Sequence, residues 1–187
     1  MRGFVAVELS PELRRPLVGL LRKLPRTREV RWCTDNQLHV TLKFLGEVST
    51  AQIPRVCAAM QATAAEVSPF PIQLGGLGCF PSARSPRVLW CGITDAQGGC
   101  ARWVAAADPL LAELGFAPEQ RAFTPHITLG RSKSRAGGEV MQEVLEDAGP
   151  LPSVEMQVDK VVLFESRLLP GGAQYTPVAT AQLGVGA

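Results

Sequence analysis

The chain contains two histidines, and both stand in the same pattern. His39-Val40-Thr41-Leu42 and His126-Ile127-Thr128-Leu129 each follow the imidazole with a β-branched aliphatic residue, a threonine and a leucine. An imidazole has an unperturbed pKa of about 6.5, so two of them flanking one bond can act as base and acid in a single reaction. In an extended strand, residue i+2 shares the face of residue i. Each threonine hydroxyl therefore lies beside its histidine and can donate a hydrogen bond to an oxygen on which negative charge builds. Two such units facing each other supply two proton-transfer groups and two oxyanion donors with no metal. That set suits opening or closing a phosphodiester with water or a neighbouring ribose hydroxyl as nucleophile. From the residues alone either imidazole can be the base, because a pseudo-symmetric pair runs both ways.

Charged and aromatic residues near the motifs are read by strand parity. Over Gln37 to Leu45, alternation groups His39, Thr41 and Lys43 on one face and Val40, Leu42 and Phe44 on the other. Lys43 has the parity to meet a phosphate but also suits a strand-edge solubility role. Arg131 falls on the face opposite His126 under strict alternation. It reaches a phosphate only if the strand ends or bulges by Gly130, which a glycine permits. Lys133 and Arg135 add a positive rim. Arg22, Lys23, Arg26, Arg28 and Arg31 form a basic loop that is either a solvated surface or a landing strip for a phosphate backbone. Trp32, Trp90 and Trp103 are either base-stacking platforms or core, and their apolar contexts favour core; Tyr175 and Phe44 are weaker stacking candidates still. No Asp, Glu or Cys sits at ligand spacing beside the histidines, so neither a metal nor another cofactor is expected.

The elements that must position these groups follow from periodicity and breakers. Phe4 to Leu9 reads as a buried strand. Ser10-Pro11-Glu12 reads as a helix start, with Leu13, Leu17, Leu20, Leu21 and Leu24 on one face until Pro25. Gly46 is expected to end the first His-x-Thr strand. Ser49-Thr50-Ala51-Gln52 reads as a capping box, with Gln52 at the third helical position of a helix ended by Pro69 and Pro71. Ile72 to Phe80 is a strand in which Gly75, Gly76 and Gly78 imply a bulge or close backbone approach. Arg87 to Ile93 is a strand. Cys100 to Leu114 is a helix kinked at Asp108-Pro109, and His126 to Leu129 is the second His-x-Thr strand. A helix from Glu139 to Glu146 and a strand from Val154 to Phe164 follow. Glu165 to Gly172 is a turn-rich link to a closing strand, Tyr175 to Ala179, with the final residues 184–187 disordered.

The spacing repeats. Phe4 precedes His39 by nearly the interval that separates Leu89 from His126, and Phe80 and Phe164 follow their histidines at similar distances. Each half reads strand, helix, His-x-Thr strand, helix, strand. The expectation is an α+β fold: one bilobal domain over 1–187 with repeat halves of about 1–85 and 86–187. Antiparallel sheets line a central cleft, helices lie outside, and the histidines face each other across a pseudo-two-fold. With 187 residues, 46% of them apolar, the chain has ample material for a core and is not disordered. A net charge of +2 is too mild to announce nucleic-acid binding by itself. Five cysteines, with no C-x-x-C pair, argue against a disulfide framework and for a reducing compartment. No stretch is long and apolar enough for a signal sequence or membrane span, so a cytoplasmic location is expected. No exposed apolar seam is legible, which leaves a monomer as the default.

The motifs resemble those of the 2H phosphoesterase superfamily, and within it the RNA 2',3'-cyclic phosphodiesterases also known as 2'-5' RNA ligases. The resemblance runs through Phe4 to Leu9, Trp32 with Leu38 to Gly46, Gly76 to Pro81, Arg87 to Trp90, Gly115-Phe116 and Phe123 to Arg131. Ser166, Leu168, Gly171 and Tyr175 continue it into the closing segment. It implies a two-lobed α+β fold and cleavage of a terminal 2',3'-cyclic phosphate on RNA to a 2'-phosphate. It also implies His126 as the base that activates water and His39 as the acid toward the departing 3'-oxygen. Thr41 and Thr128 would hold the non-bridging oxygens, with Arg131 as a further phosphate ligand, and the two histidines would exchange roles in the ligation direction. Two other classes compete with this expectation: a nucleotide- or RNA-binding module without turnover, and a phosphodiesterase of the same chemistry on a small metabolite. Binding alone does not require two titratable groups, and the basic loop favours RNA over a small molecule.

Overall fold

The computed structural model describes residues 1–120, 122–170 and 172–184. Among these residues, four helices pack against one antiparallel sheet of nine strands. The strands are β1 (Arg2–Glu8), β2 (Arg31–Trp32), β3 (His39–Glu47), β4 (Phe70–Phe80), β5 (Val88–Thr94), β6 (His126–Arg131), β7 (Glu155–Val158), β8 (Lys160–Leu169) and β9 (Gly172–Gln182). The helices are α1 (Pro11–Lys23), α2 (Ile53–Glu66), α3 (Gly99–Ala112) and α4 (Arg135–Asp147). The sheet order is β7-β4-β5-β6-β3-β1-β8-β9, with β2 paired to β6. It divides into two half-sheets that meet at the His-x-Thr strands, where the β3–β6 ladder consists of the single pair Val40 and Ile127.

A pseudo-two-fold between β3 and β6 matches β1 with β5, β8 with β4 and β9 with β7. The matched strands exchange partners across the halves of the chain. β4 closes the first half of the sequence but pairs with β5, and β8 closes the second half but pairs with β1. The stretch expected as one strand from Val154 to Phe164 is therefore two. β7 pairs with β4, the chain turns at Asp159, and β8 begins on the other half-sheet. The helices cross over in the same way. α2 packs on β8, β9 and α3, and α3 packs on β3. α1 packs on β7 and lines a groove with α4.

The helix starts and stops follow local chemistry. The Ser10 hydroxyl accepts from Leu13 N and caps α1. Gln52 accepts from Ser49 N at 3.0 Å, but this pair closes a turn, and α2 begins at Ile53 with Pro54 in its first turn. α4 starts at Arg135, earlier than the expected Glu139, because Ser134 caps it by accepting from Gly137 N. Gly137 and Gly138 precede the expected start, and both are buried in its first turn. A side chain at Gly137 would strike Ser132 and the Glu29 carbonyl. α3 runs through Pro109, and β3 continues past Gly46 to Glu47. The expected link over 165–172 is mostly strand, because β8 extends to Leu169 and β9 starts at Gly172 and runs to Gln182. The expectations for Gly171 and for 185–187 lie outside the described residues. Buried side chains form one main core, with Phe70, Met60, Trp103, Leu111, Leu129 and Met141 fully enclosed. The five cysteines are free, and among the described residues no helix is long and apolar enough to cross a membrane.

Candidate active site

Each imidazole is fixed by the backbone carbonyl two residues before it. His39 Nδ1 lies 2.8 Å from Gln37 O, and His126 Nδ1 lies 2.7 Å from Thr124 O. A carbonyl oxygen only accepts, so in both neutral rings Nδ1 carries the proton and Nε2 keeps its lone pair. The Thr41 hydroxyl stands 3.0 Å from His39 Nε2 and donates to it. The two strands thus offer the same atom, an unprotonated Nε2, from the same tautomer.

Burial lowers the proton affinity of both rings. His39 is held down to about 4, from an ordinary 6.5, first by desolvation and further by the positive fields of Arg131 and His126. The hydrogen bond to Gln37 works in the opposite direction. His126 is lowered by desolvation and by Arg131, against the raising effect of its bond to Thr124. Aromatic rings supply the apolar walls. Phe4 and Tyr175 lie 4.8 and 5.1 Å from the His39 ring, and Phe80 and Trp90 lie 5.1 and 6.0 Å from the His126 ring.

Two register shifts decide which side chains join the histidines. β1 pairs Ala6 with Thr41 and Val5 with Lys43, so Leu42 is an extra residue on β3. β5 pairs Trp90 with Thr128 and Leu89 with Gly130, so Leu129 is an extra residue on β6. Each bulge falls directly after the His-x-Thr triplet and reverses parity beyond it. On β6 this returns Arg131 to the histidine face, and its guanidinium lies 3.5 Å from Thr128 Oγ1. Gly130 is buried under the Trp32 ring, which leaves no room for a side chain there.

On β3 the same shift corrects the parity assigned to Lys43. Lys43 is buried on the helix side, with Nζ 2.6 Å from Asp108 Oδ1 of α3 and 2.8 Å from Ala117 O. It does not share the face of His39 and Thr41. Phe44, expected on the core side, is instead 63% exposed, and its ring centre lies 6.0 Å from that of Phe4. Phe44 and Arg131 are pseudo-symmetry equivalents, so the two halves of the site differ chiefly in presenting an aromatic ring on one side and a guanidinium on the other. Trp103 is core as expected. Trp90 instead lies against His126, and Trp32 is half-buried with Nε1 donating to Pro25 O.

The side chains assigned from sequence, His39, Thr41, His126, Thr128 and Arg131, come together on one face of β3 and β6. Alternation alone missed Phe44. In both strands the extra residue is the leucine directly after the His-x-Thr triplet, Leu42 before Lys43-Phe44 and Leu129 before Gly130-Arg131. Among the described residues, no three His, Cys, Asp or Glu side chains gather as a metal site.

Residues 10–168 match the profile of the 2'-5' RNA ligase superfamily. An RNA 2',3'-cyclic phosphodiesterase of Methanothermobacter thermautotrophicus is 32% identical over 187 residues, covering 98% of this chain and 99% of its own. A crystal structure from Thermus thermophilus superposes with a TM-score of 0.80 at 30% identity, covering 98% of both chains. E. coli LigT complexed with 3'-AMP superposes with a TM-score of 0.80 at 27% identity over 97% of each chain.

Proposed function

The chain belongs to the 2'-5' RNA ligase superfamily, and from that premise we propose that it hydrolyses RNA 2',3'-cyclic phosphate ends to 2'-phosphate ends without a metal. The observation that carries the reading is the matched pair of imidazoles, each held by an i−2 carbonyl so that a basic Nε2 is presented, that of His39 3.0 Å from the Thr41 hydroxyl. His126 Nε2 takes a proton from water as the water oxygen attacks phosphorus. The bond to O3' breaks, and His39, protonated on Nε2, delivers its proton to that oxygen, leaving the phosphate on O2'. Thr41, Thr128 and Arg131 hydrogen-bond the non-bridging oxygens as charge builds there.

In the protein by itself both rings favour the neutral form. A bound phosphodiester anion favours the imidazolium, so the substrate itself restores the acid's proton. His39 is the more strongly depressed ring, and its service as acid depends on that anion. Ligation would run the same steps in reverse, with the two histidines exchanging roles. The chain is read as acting as a monomer in the cytoplasm.

The test is hydrolysis of an oligoribonucleotide ending in a 2',3'-cyclic phosphate, in EDTA, by the wild type, His39→Ala and His126→Ala. Turnover that resists chelation, leaves a 2'-phosphate and falls about 10²-fold or more in both variants is expected. A 3'-phosphate product would reverse the leaving group. Loss of turnover in EDTA, or its survival in either variant, would overturn the reading.

A further inference from the structure

The two imidazoles are held by the same kind of bond, but the carbonyls that hold them are anchored differently. On the His126 side the anchor is backbone. Pro125 O accepts from Ile93 N at 3.0 Å, which ties the Thr124-Pro125 segment to the end of β5. The matching bond in the other half would run from Leu9 N to Leu38 O, and it is not made among the described residues. Leu38 N instead donates to Asp35 O at 3.2 Å and closes the single turn Asp35–Gln37.

The Gln37 side chain supplies the missing tie. Its Nε2 donates to Ala173 O of β9 at 2.6 Å, and its Oε1 accepts from Thr34 N at 2.8 Å. Its own backbone carbonyl is the one that lies 2.8 Å from His39 Nδ1. One half-buried residue therefore links the C-terminal hairpin, the turn and the ring. β9 comes close to do this. Gly172 opens the strand at φ +127°, a conformation that disfavours a side chain, and a β-carbon there would stand 3.3 Å from Gln37 Nε2. Two residues on from Ala173, on the same face of the strand, Tyr175 sets its ring edge-on to His39 at 5.1 Å and 89°. β9 thus meets the imidazole both directly and through Gln37. Its counterpart β7 spans four residues and pairs with Phe70 to Gln73, short of the end of β4 that carries Phe80 to His126.

We propose that Gln37 is a positioning residue for His39: it fixes the carbonyl that orients the imidazole, and it makes that orientation depend on the β8–β9 hairpin while His126 is set independently. The assignment rests on the function proposed above and deepens it by giving one histidine a support of its own. A hydrogen bond at one ring nitrogen sets the tautomer and the ring plane only while its acceptor is itself held. Without the Gln37 side chain the turn is free to carry the carbonyl away, and the ring can rotate or move its proton to Nε2. A misplacement of about 1 Å costs about 10²-fold in rate. The phosphate ligands Thr41, Thr128 and Arg131 make no bond to Gln37, so the loss falls on kcat rather than on KM.

The experiment compares the wild type with Gln37→Met, which loses both side-chain bonds, and with Gln37→Glu, which still accepts from Thr34 N but has no donor for Ala173 O. Glu keeps the shape of Gln, so it carries the test if the Met variant fails to fold. The first readout is nitrogen NMR of the imidazoles at a pH where both are neutral. With two histidines in the chain, His39→Gln assigns the two rings and His126 serves as the internal control. The wild type should show the Nδ1–H tautomer in both. Each Gln37 variant should show mixed tautomers at His39, an unchanged His126, and a kcat on adenosine 2',3'-cyclic phosphate lowered tenfold or more with KM within twofold. A His39 signal unchanged in both variants, or an equal change in the two rings, would overturn the proposal. A lowered Tm with unchanged kcat would also overturn it, leaving Gln37 a purely structural residue. The wild-type signal retained in Gln37→Glu alone would refute the part played by the hairpin. Failure of the wild type to turn over the cyclic phosphate would instead overturn the proposed activity, and the spectra would then decide the positioning role by themselves.

Discussion

The Lys43–Asp108 pair gives the most direct test of the bulge on β3. Lys43 is 5% exposed and Asp108 19%, with 2.6 Å between Nζ and Oδ1, and Lys43 also donates to Ala117 O. It ties the first His-x-Thr strand to α3. Removing one partner of a buried pair leaves the other charge without compensation, which costs about 3–5 kcal/mol. For a chain of this length each kcal/mol lowers Tm by about 2–4 °C, so Lys43→Ala should lose about 6–20 °C. Lys43→Met/Asp108→Leu removes both charges and fills the volume, and should recover most of that loss. The assay is thermal unfolding of both singles and the double, closed as a double-mutant cycle, beside turnover of a cyclic mononucleotide at a temperature where all variants remain folded. The expected coupling is well over about 1 kcal/mol, with kcat/KM in the double within a few-fold of wild type. A Lys43→Ala protein of unchanged Tm whose KM rises sharply would refute the reasoning, because it would place the ammonium in the cleft with the phosphate.

Two further outcomes follow from the same geometry. His39 titrates near 4 when folded and near 6.5 when unfolded, so below pH 6.5 the unfolded state binds more protons and stability falls until about pH 4. The loss is at most about 3 kcal/mol, reduced by the ring's partial exposure, and His39→Gln should flatten denaturation midpoints across that window; an unaltered pH dependence would contradict the burial assigned to the ring. Phe44→Ala should leave Tm nearly unchanged, because the ring is 63% exposed, while raising KM for adenosine 2',3'-cyclic phosphate about 5- to 150-fold through loss of about 1–3 kcal/mol of base stacking. A large fall in Tm with unchanged KM would mean that the ring serves packing instead.

The two His-x-Thr strands were legible because their information is local. Polar and apolar residues alternate over His39 to Leu42 and His126 to Leu129, and alternation within four residues needs no knowledge of partners. Arg131 and Phe44 were not legible by the same rule, because their faces depend on one extra residue per strand. Whether that residue bulges is set by the register against β1 and β5, which is a property of the partner strands. The division at Asp159 was hidden for a related reason. Val154 to Phe164 is uniformly strand-like, and only the two edges it must fill, one in each half-sheet, force the chain to turn. α4 begins four residues before the expected Glu139, because Gly137 and Gly138, despite poor helix propensity, pack closely against Ser132, Glu29 and Pro86 in its first turn.

The exchange of β4 and β8 between the half-sheets also has a bearing on synthesis. As the chain leaves the ribosome, β1 and β3 appear early, but the strand that covers the other edge of β1 is β8, which begins only at Lys160. β4 likewise waits for β5 before it has a neighbour. The first half of the chain therefore cannot finish a lobe while the second is still being made. Nascent chains that stop short of β8 expose an unpaired β1 edge rich in Phe4, Val5 and Val7, the kind of surface on which chaperones act. Pairing across so much intervening sequence makes the last step of folding the slow one, and it falls after most of the chain has emerged.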